Sequence, residues 1–315
     1  VQDLVEAVVA EFPSQPEELG GFELESHYHE ALVNQHRSRK TALFCGREDE
    51  LAAIVAHCLM PNEDAPSSPL FVLGGRGMGK TTLLSRAVQK VRSEIQRVGD
   101  RKAAVVPLFV GASPRSGDPR LCMLQVVFMA CRAVDRHPDV AWTRLTANDL
   151  GLVIMRVVAE ARDTNIVIVL DGTDSWAMSE LLSNASWYLP FRMSDYPPNL
   201  RVVVGLTEGS ELVRDFREPR IGAAVFAKDD EEPARMPSEC LPAMPPPVML
   251  GAFQPAAASA VLTIVTDRNA AANLTSVEAS ELAEALAVNK EGWRVPLWLT
   301  TAAQNLLKSD HASLK

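Results

Sequence analysis

The sequence predicts a three-layer α/β/α sandwich around about five parallel strands, with a helical subdomain at its C-terminal end. Three observations carry this. Short apolar runs rich in β-branched residues alternate with amphipathic stretches, the pattern of a parallel sheet covered on both faces. The first such run, 70–73, leads into Gly74-Gly75-Arg76-Gly77-Met78-Gly79-Lys80-Thr81-Thr82, which has the spacing G-x-x-x-x-G-K-[ST]. A later unbroken run, 165–170, ends on Asp171.

Residues 1–40 read as a helical lead-in and 41–227 as the α/β core. After the first strand, 81–92 places Leu83, Leu84, Val88 and Val91 on one helical face. A strand follows at 103–110, then helices at 119–134 and 146–162, the second with Thr146 or Asn148 as its cap. Strands are expected at 165–170, 200–206 and 248–250. Between the last two, 228–247 is rich in Asp, Glu and Pro and reads as a mobile linker. Residues 248–315 hold the last core strand and helical periodicity at 256–268, 276–289 and 296–308, a small helical lid. The chain starts at Val1, so we expect it to be an excerpt of a longer protein.

The glycine-rich segment explains its own chemistry. Gly74, Gly77 and Gly79 permit backbone conformations in which successive N–H groups turn inward around phosphate oxygens. A helix starting near Lys80 points the positive end of its dipole at the same place. Lys80 is then placed to reach the β/γ-phosphates, and the Thr81 hydroxyl to ligate Mg²⁺. The segment is a P-loop. Its expected partner is a carboxylate at the end of a neighbouring strand, and Asp171 meets that description, with Gly172 leaving room beside the phosphates. Asp174 has two readings: it orients or deprotonates an attacking water, or it caps a helix over 175–182. Thr207, at the end of the next strand, is either a γ-phosphate sensor or an ordinary strand-end hydroxyl. The 103–110 strand is read as the one inserted between the P-loop and the Asp171 strand, which suggests the additional-strand class of P-loop ATPases. A guanine-reading N-K-x-D is not found: Asn289-Lys290-Glu291-Gly292 lacks the acid, which favours ATP.

Composition narrows the partners. The 31 Lys and Arg against 40 Asp and Glu give a net charge of −9, which argues against broad electrostatic binding of nucleic acid. Arg37, Arg39 and Lys40, and the series Arg86, Lys90, Arg92, Arg97, Arg101 and Lys102, read as solvated helix faces. The 5 cysteines, at 45, 58, 122, 131 and 240, have no C-x-x-C spacing, which points to a reducing, cytoplasmic setting. His27 and His29 lack companions at metal-ligand spacing and read as surface or capping residues. No secretory leader is expected, and the longest apolar runs, 121–131 and 152–159, suit buried helices better than membrane spans.

Taken together these strings resemble the STAND class of signal-transduction ATPases, and within it the NACHT-like domains of the nephrocystin and telomerase-associated protein families. Phe44-Cys45-Gly46-Arg47-Glu48-Asp49-Glu50-Leu51 is similar to the family's G-R-E-x-x-L segment, and His29-Glu30-Ala31 to its lead-in. Asp171-Gly172-Thr173-Asp174 matches most of a D-G-h-D-E pattern. Trp187-Tyr188-Leu189-Pro190 and Pro197-Pro198-Asn199-Leu200-Arg201-Val202 resemble the approach to the fourth strand, and Val295-Pro296-Leu297-Trp298-Leu299 the N-P-L-x-L of the lid. The resemblance implies that Arg47 packs near the adenine and that Pro296 lies against the base. Ser175 stands where the family has a second acid, Thr173 where it has an apolar residue, and no T-[ST]-R follows the strand at 200–206. Those departures fit slow turnover.

The resulting expectation is a switch that binds ATP or ADP with Mg²⁺, hydrolyses slowly, and controls self-oligomerisation or recruitment of protein partners. Two alternatives stand beside it. One is an AAA+-like motor acting on nucleic acid, for which Arg192, Arg201 and Arg214 are arginine-finger candidates; the other is a degenerate NTPase fold serving as an interaction module.

Overall fold

In the computed structural model the described residues are 17–40, 44, 46–64, 69–99, 102–178, 196–209 and 245–252. In chain order they form α1 (Glu17–Lys40), α2 (Glu48–Leu59), β1 (Leu70–Gly74), α3 (Lys80–Val98) and β2 (Lys102–Phe109). Next come α4 (Pro119–Ala133), α5 (Ala147–Glu160), β3 (Thr164–Asp171), β4 (Leu200–Thr207) and β5 (Val248–Leu250). Short 3₁₀ turns lie at Asn62–Asp64, Val140–Arg144 and Thr173–Met178.

The five strands form one parallel sheet in the order β2-β3-β4-β1-β5. This corrects one step of the sequence reading. The strand that separates the P-loop strand from the Asp171 strand in space is β4, whereas β2 lies at the sheet edge. Sequence order could not reveal this, because parallel crossovers let consecutive strands skip a position. The additional-strand architecture stands, with a different strand as the insertion.

Both faces of the sheet are buried, which is why its strands read as unbroken apolar runs. Alternation at a period of two sends Phe71, Leu73, Ile166, Ile168, Leu170, Val202 and Val204 into a core with α4 and α5. It sends Leu70, Val72, Val167, Val169 and Val203 into a second core with Ile54 and Cys58 of α2 and Leu83, Leu84, Val88 and Val91 of α3. Each such side chain contributes about 1.5–3 kcal/mol by leaving water.

Helix ends follow the expected chemistry. Asp118 caps α4 by accepting from the N–H groups of Arg120 and Leu121. Thr146 and Asp149 form a reciprocal capping box on α5, so Thr146 is the cap. Helix α3 runs one and a half turns past its predicted end, to Gly99, whose left-handed backbone closes it with an N–H bond to Ile95.

Helix α1 covers the edge strand. Phe22 enters one core and Val33 the other. His29 Nδ1 accepts the Phe109 N–H at 3.2 Å, and Arg92 donates to the Val105 carbonyl at 3.1 Å, so two edge groups of β2 are satisfied by side chains. His29 is therefore a buried capping residue, which corrects the surface half of its reading as a surface or capping residue. The basic series on α3 is internally engaged. Arg92 makes a two-pronged pair with Glu30, Lys90 and Arg97 both pair with Glu94, and Arg86 bonds Gln89.

Candidate functional site

The C-terminal ends of β1, β3 and β4 lie side by side, because Gly74 is in register with Thr207 and Asp171 with Gly205. Strand β1 delivers the loop 74–79, and Gly77 and Gly79 adopt φ of 79° and 87°, the left-handed region a side chain disfavours. Gly79 is also the N-cap of α3, so the helix begins at Lys80 with its unpaired N–H groups directed into the loop. Gly75, Gly77 and Met78 line that turn, with Arg76 and Thr82 exposed beside it. Gly74 needs its missing Cβ for a different reason: that atom would sit 2.8 Å from Leu250 Cβ, in the neighbouring strand β5.

The Lys80 ammonium donates to the carbonyls of Gly74 at 2.7 Å and Gly75 at 3.1 Å. Burial lowers its pKa, opposed by the nearby charges of Asp171 and Asp174. Thr81 Oγ1 donates to Asp171 Oδ2 at 2.5 Å. Asp171 is buried, and desolvation pushes its pKa up to about 6 against the Thr81 hydrogen bond and the Lys80 charge. Asp174 sits inside the 3₁₀ turn Thr173–Met178, and its Oδ2 accepts the Thr207 N–H at 3.2 Å. It thus bridges the ends of β3 and β4, while residues 179–182 of the helix it was expected to cap lie outside the described residues. Ser175 Oγ folds back onto the Gly172 carbonyl at 2.7 Å.

A buried carboxylate whose pKa burial has raised, beside a threonine hydroxyl and an N-terminal helix turn, is a donor set that suits a hard divalent cation. Among the described residues no cluster of three His, Cys, Asp or Glu could cage a metal. A cation here would therefore draw its remaining ligands from phosphate and water, as Mg²⁺ does.

Arg47, the N-cap residue of α2, is buried and bonds Glu50 at 2.8 Å and the Gly251 carbonyl just past β5. Leu250 touches Gly74, so Arg47 is held at the same end of the sheet as the P-loop. Arg201 lies at the opposite end of β4, where its guanidinium donates to the carbonyls of Met60, Pro61, Pro198 and Leu200. That commitment removes it from the arginine-finger candidates. Arg192, Arg214, Pro296, the Trp187 string, most of the 228–247 linker and the expected helical lid lie outside the described residues.

The sequence reading passed over Gly205. A Cβ there would lie 2.5 Å from Asp171 Oδ1 and 2.7 Å from Leu84 Cδ1, so its absence makes the space in which Asp171 meets Thr81. A lone glycine inside an otherwise β-branched strand was the available signal.

Sheet order and loop geometry define a P-loop NTPase fold of the additional-strand class. In sequence the chain is similar to NACHT proteins: it is 24% identical over 184 residues to mouse (Mus musculus) NACHT domain- and WD repeat-containing protein 1, and 25% identical over 182 residues to the human (Homo sapiens) protein of that name. Those matches cover 58% and 55% of this chain but 11% of each relative. No protein-family model matches the chain. Among solved structures, one of Drosophila ORC bound to DNA shares the fold, with a TM-score of 0.57 and 11% identity over 96% of this chain and 64% of that one. Among the described residues no helix is long and apolar enough to cross a membrane.

Proposed function

We propose that this chain is a nucleotide-operated switch that binds ATP or ADP with Mg²⁺, turns over slowly, and controls self-association or recruitment of protein partners. The observation that carries the reading is the convergence of Lys80, Thr81, Asp171, Asp174 and Thr207 at three adjacent strand ends. Lys80, released from its two carbonyls, reaches the β/γ-phosphates, and the N–H groups of the 74–82 loop surround them. Thr81 and Asp171 hold the Mg²⁺, which supplies neutralisation of phosphate charge. Asp174 orients the water, and its bond to the Thr207 N–H ties that role to the strand end that senses the γ-phosphate. Arg47, from the G-R-E segment, and Pro296, from the lid, border the base.

Slow turnover rests on Ser175, whose hydroxyl is occupied by its own turn where a second acid would stand. A cytoplasmic setting fits the buried free thiols of Cys58, Cys122 and Cys131. The nucleic-acid motor is the weaker reading, because the basic residues of α3 are paired with Glu30 and Glu94 and Arg201 is spent on carbonyls.

Nucleotide content of the purified protein, with size-exclusion elution under ATP and under ADP, tests the switch for wild type, Lys80→Ala and Asp174→Asn. We expect bound nucleotide and ATP-dependent association in wild type, loss of both in Lys80→Ala, and association locked on in Asp174→Asn. Equal elution in all states sinks the switch. Retained nucleotide in Lys80→Ala sinks the site.

A further inference from the structure

The loop between β2 and α4 touches no part of the P-loop in its hydrogen bonding, yet it is wired more densely than packing requires. Ser116 Oγ accepts from the N–H groups of Gly111 at 2.8 Å and Ser113 at 3.2 Å, and donates to the Ser113 carbonyl at 2.7 Å. That makes a closed turn around one hydroxyl. On one side of it, the Ser113 hydroxyl donates to the carboxylate of Glu25 on α1. On the other, the Ser116 carbonyl accepts from the indole N–H of Trp176 at 3.2 Å and from the Cys122 thiol at 3.1 Å. Glu25, Ser113, Ser116 and Trp176 are all buried.

Trp176 belongs to the 3₁₀ turn Thr173–Met178 that carries Asp174. A second connection runs through the backbone. His29 of α1 accepts the Phe109 N–H, Phe109 is in register with Asp171, and the Val110 N–H donates to the Asp171 carbonyl at 2.9 Å. Both acids of the site are therefore tied to α1. Gln125 closes the arrangement by donating to the Phe22 carbonyl and to Ser26 Oγ, which fixes α1 against α4.

Burying a carboxyl group against a serine costs more than an apolar pair of the same size would. Of the network's buried side-chain polar atoms only Gln125 Oε1 lacks a hydrogen-bond partner among the described residues, and polar networks satisfied to this degree specify one geometry where apolar packing tolerates several. We infer that Glu25, Ser113, Ser116 and Trp176 are positioning residues for Asp174, so that the seating of α1 on the β2–α4 loop sets the orientation of the acid that faces the γ-phosphate. This rests on the nucleotide reading of the site. It assigns α1 a part in that site, although α1 supplies no residue to it: displacement of the helix releases Ser113, then Ser116, and finally the turn that holds Asp174 against Thr207.

Two variants test it: Ser113→Ala, which removes one donor and keeps nearly the same volume, and Trp176→Phe, which removes one donor together with part of a buried ring. Amide hydrogen exchange at 173–178 and the ratio of ATP to ADP affinity are measured for both. We expect exchange at 173–178 to rise about tenfold in each variant, as local opening becomes easier. The ATP preference should fall about fivefold or more while ADP affinity stays within about twofold, since only a γ-phosphate reaches Asp174. Unchanged exchange at 173–178 overturns the inference, as does faster exchange with an unchanged ATP-to-ADP ratio. If Trp176→Phe fails to fold, Ser113→Ala decides. If wild type binds no nucleotide, the proposed function fails by itself, and exchange at 173–178 in Ser113→Ala still shows whether the loop holds the turn.

Discussion

Thr81 Oγ1 donates a 2.5 Å hydrogen bond to Asp171 Oδ2, joining the first turn of α3 to the last residue of β3 across ninety residues of chain. The bond holds a hydroxyl and a carboxylate together in a pocket where neither could be left alone without cost. It also presents two oxygen ligands on one side of a cationic loop.

Thr81→Ala removes one of those oxygens and leaves the fold in place. Nucleotide affinity in the presence of Mg²⁺ should fall about tenfold, while affinity in EDTA stays within about twofold. Titration calorimetry in the two buffers checks this, and an equal loss in both would deny Thr81 a role toward the cation.

Asp171→Asn should make the nucleotide-free protein more stable and the site less useful. Burial raises the carboxyl pKa to about 6, so near neutral pH the native state carries a charge that the unfolded chain solvates more easily. The folded form binds this proton more tightly, so the penalty is absent below the unfolded pKa and complete above about 6. Removing the charge should add about 3 kcal/mol at pH 7 and nothing near pH 3.5. Thermal melts at the two values measure it. A lower melting temperature at pH 7 would contradict the electrostatic account.

Two histidines act in the opposite direction. Burial lowers the pKa of His29 to about 4, with Glu30 opposing, and that of His57 to about 4, with the Val202 carbonyl opposing. Both are neutral when folded, whereas the unfolded side chains take up protons from their ordinary value of 6.5 downward. Their contribution is whole above about pH 6.5 and drains as the pH falls toward 4, by about 3 kcal/mol each. Asp171 offsets roughly half of the combined slope, since its native form binds a proton in the same window. Urea midpoints between pH 8 and 4 should show the net fall, and His29→Gln, which keeps an acceptor for the Phe109 N–H, should flatten it.

Gly205→Ala places a methyl group 2.5 Å from Asp171 Oδ1 and 2.7 Å from Leu84 Cδ1. Both neighbours are buried and one is held by Thr81, so relief comes from shifting Asp171. The expected cost is about 1–3 kcal/mol of stability together with weakened Mg²⁺-dependent binding. Gly209→Ala, at a left-handed turn with nothing within 4 Å, should lower stability by about 1 kcal/mol through backbone strain alone and spare the binding. Equal binding by the two variants would remove the argument that Gly205 serves Asp171.

Much of the site was legible because its parts are local. The P-loop carries its glycines, its lysine and its hydroxyl within nine residues, and the Asp171 strand announces itself by the unbroken apolar run from Ile166 to Leu170. The strands and helices α3, α4 and α5 followed from the same periodicities, with ends displaced by a residue or two, except where α3 continued to its glycine cap; α2 was not expected. What the chain did not reveal lies in pairings between distant segments. His29 gave no sign that it would cap the edge of β2, and Arg201 looked as available as any other arginine. Ser113, Ser116 and Trp176 are ordinary residues in sequence and acquire a meaning through Glu25.

The sequence alone determined the P-loop, the strand-end acid beside it and the parallel sheet between two helical layers, since each depends on residue type and spacing within one element. Tertiary structure decided which strand stands between the P-loop and Asp171, and that Asp174 reaches Thr207. It also decided that α1 is bound to the loop beside both acids. Those relations are set by the order in which crossovers lay strands down and by the need to satisfy buried polar groups, and neither is written in the local pattern of a chain.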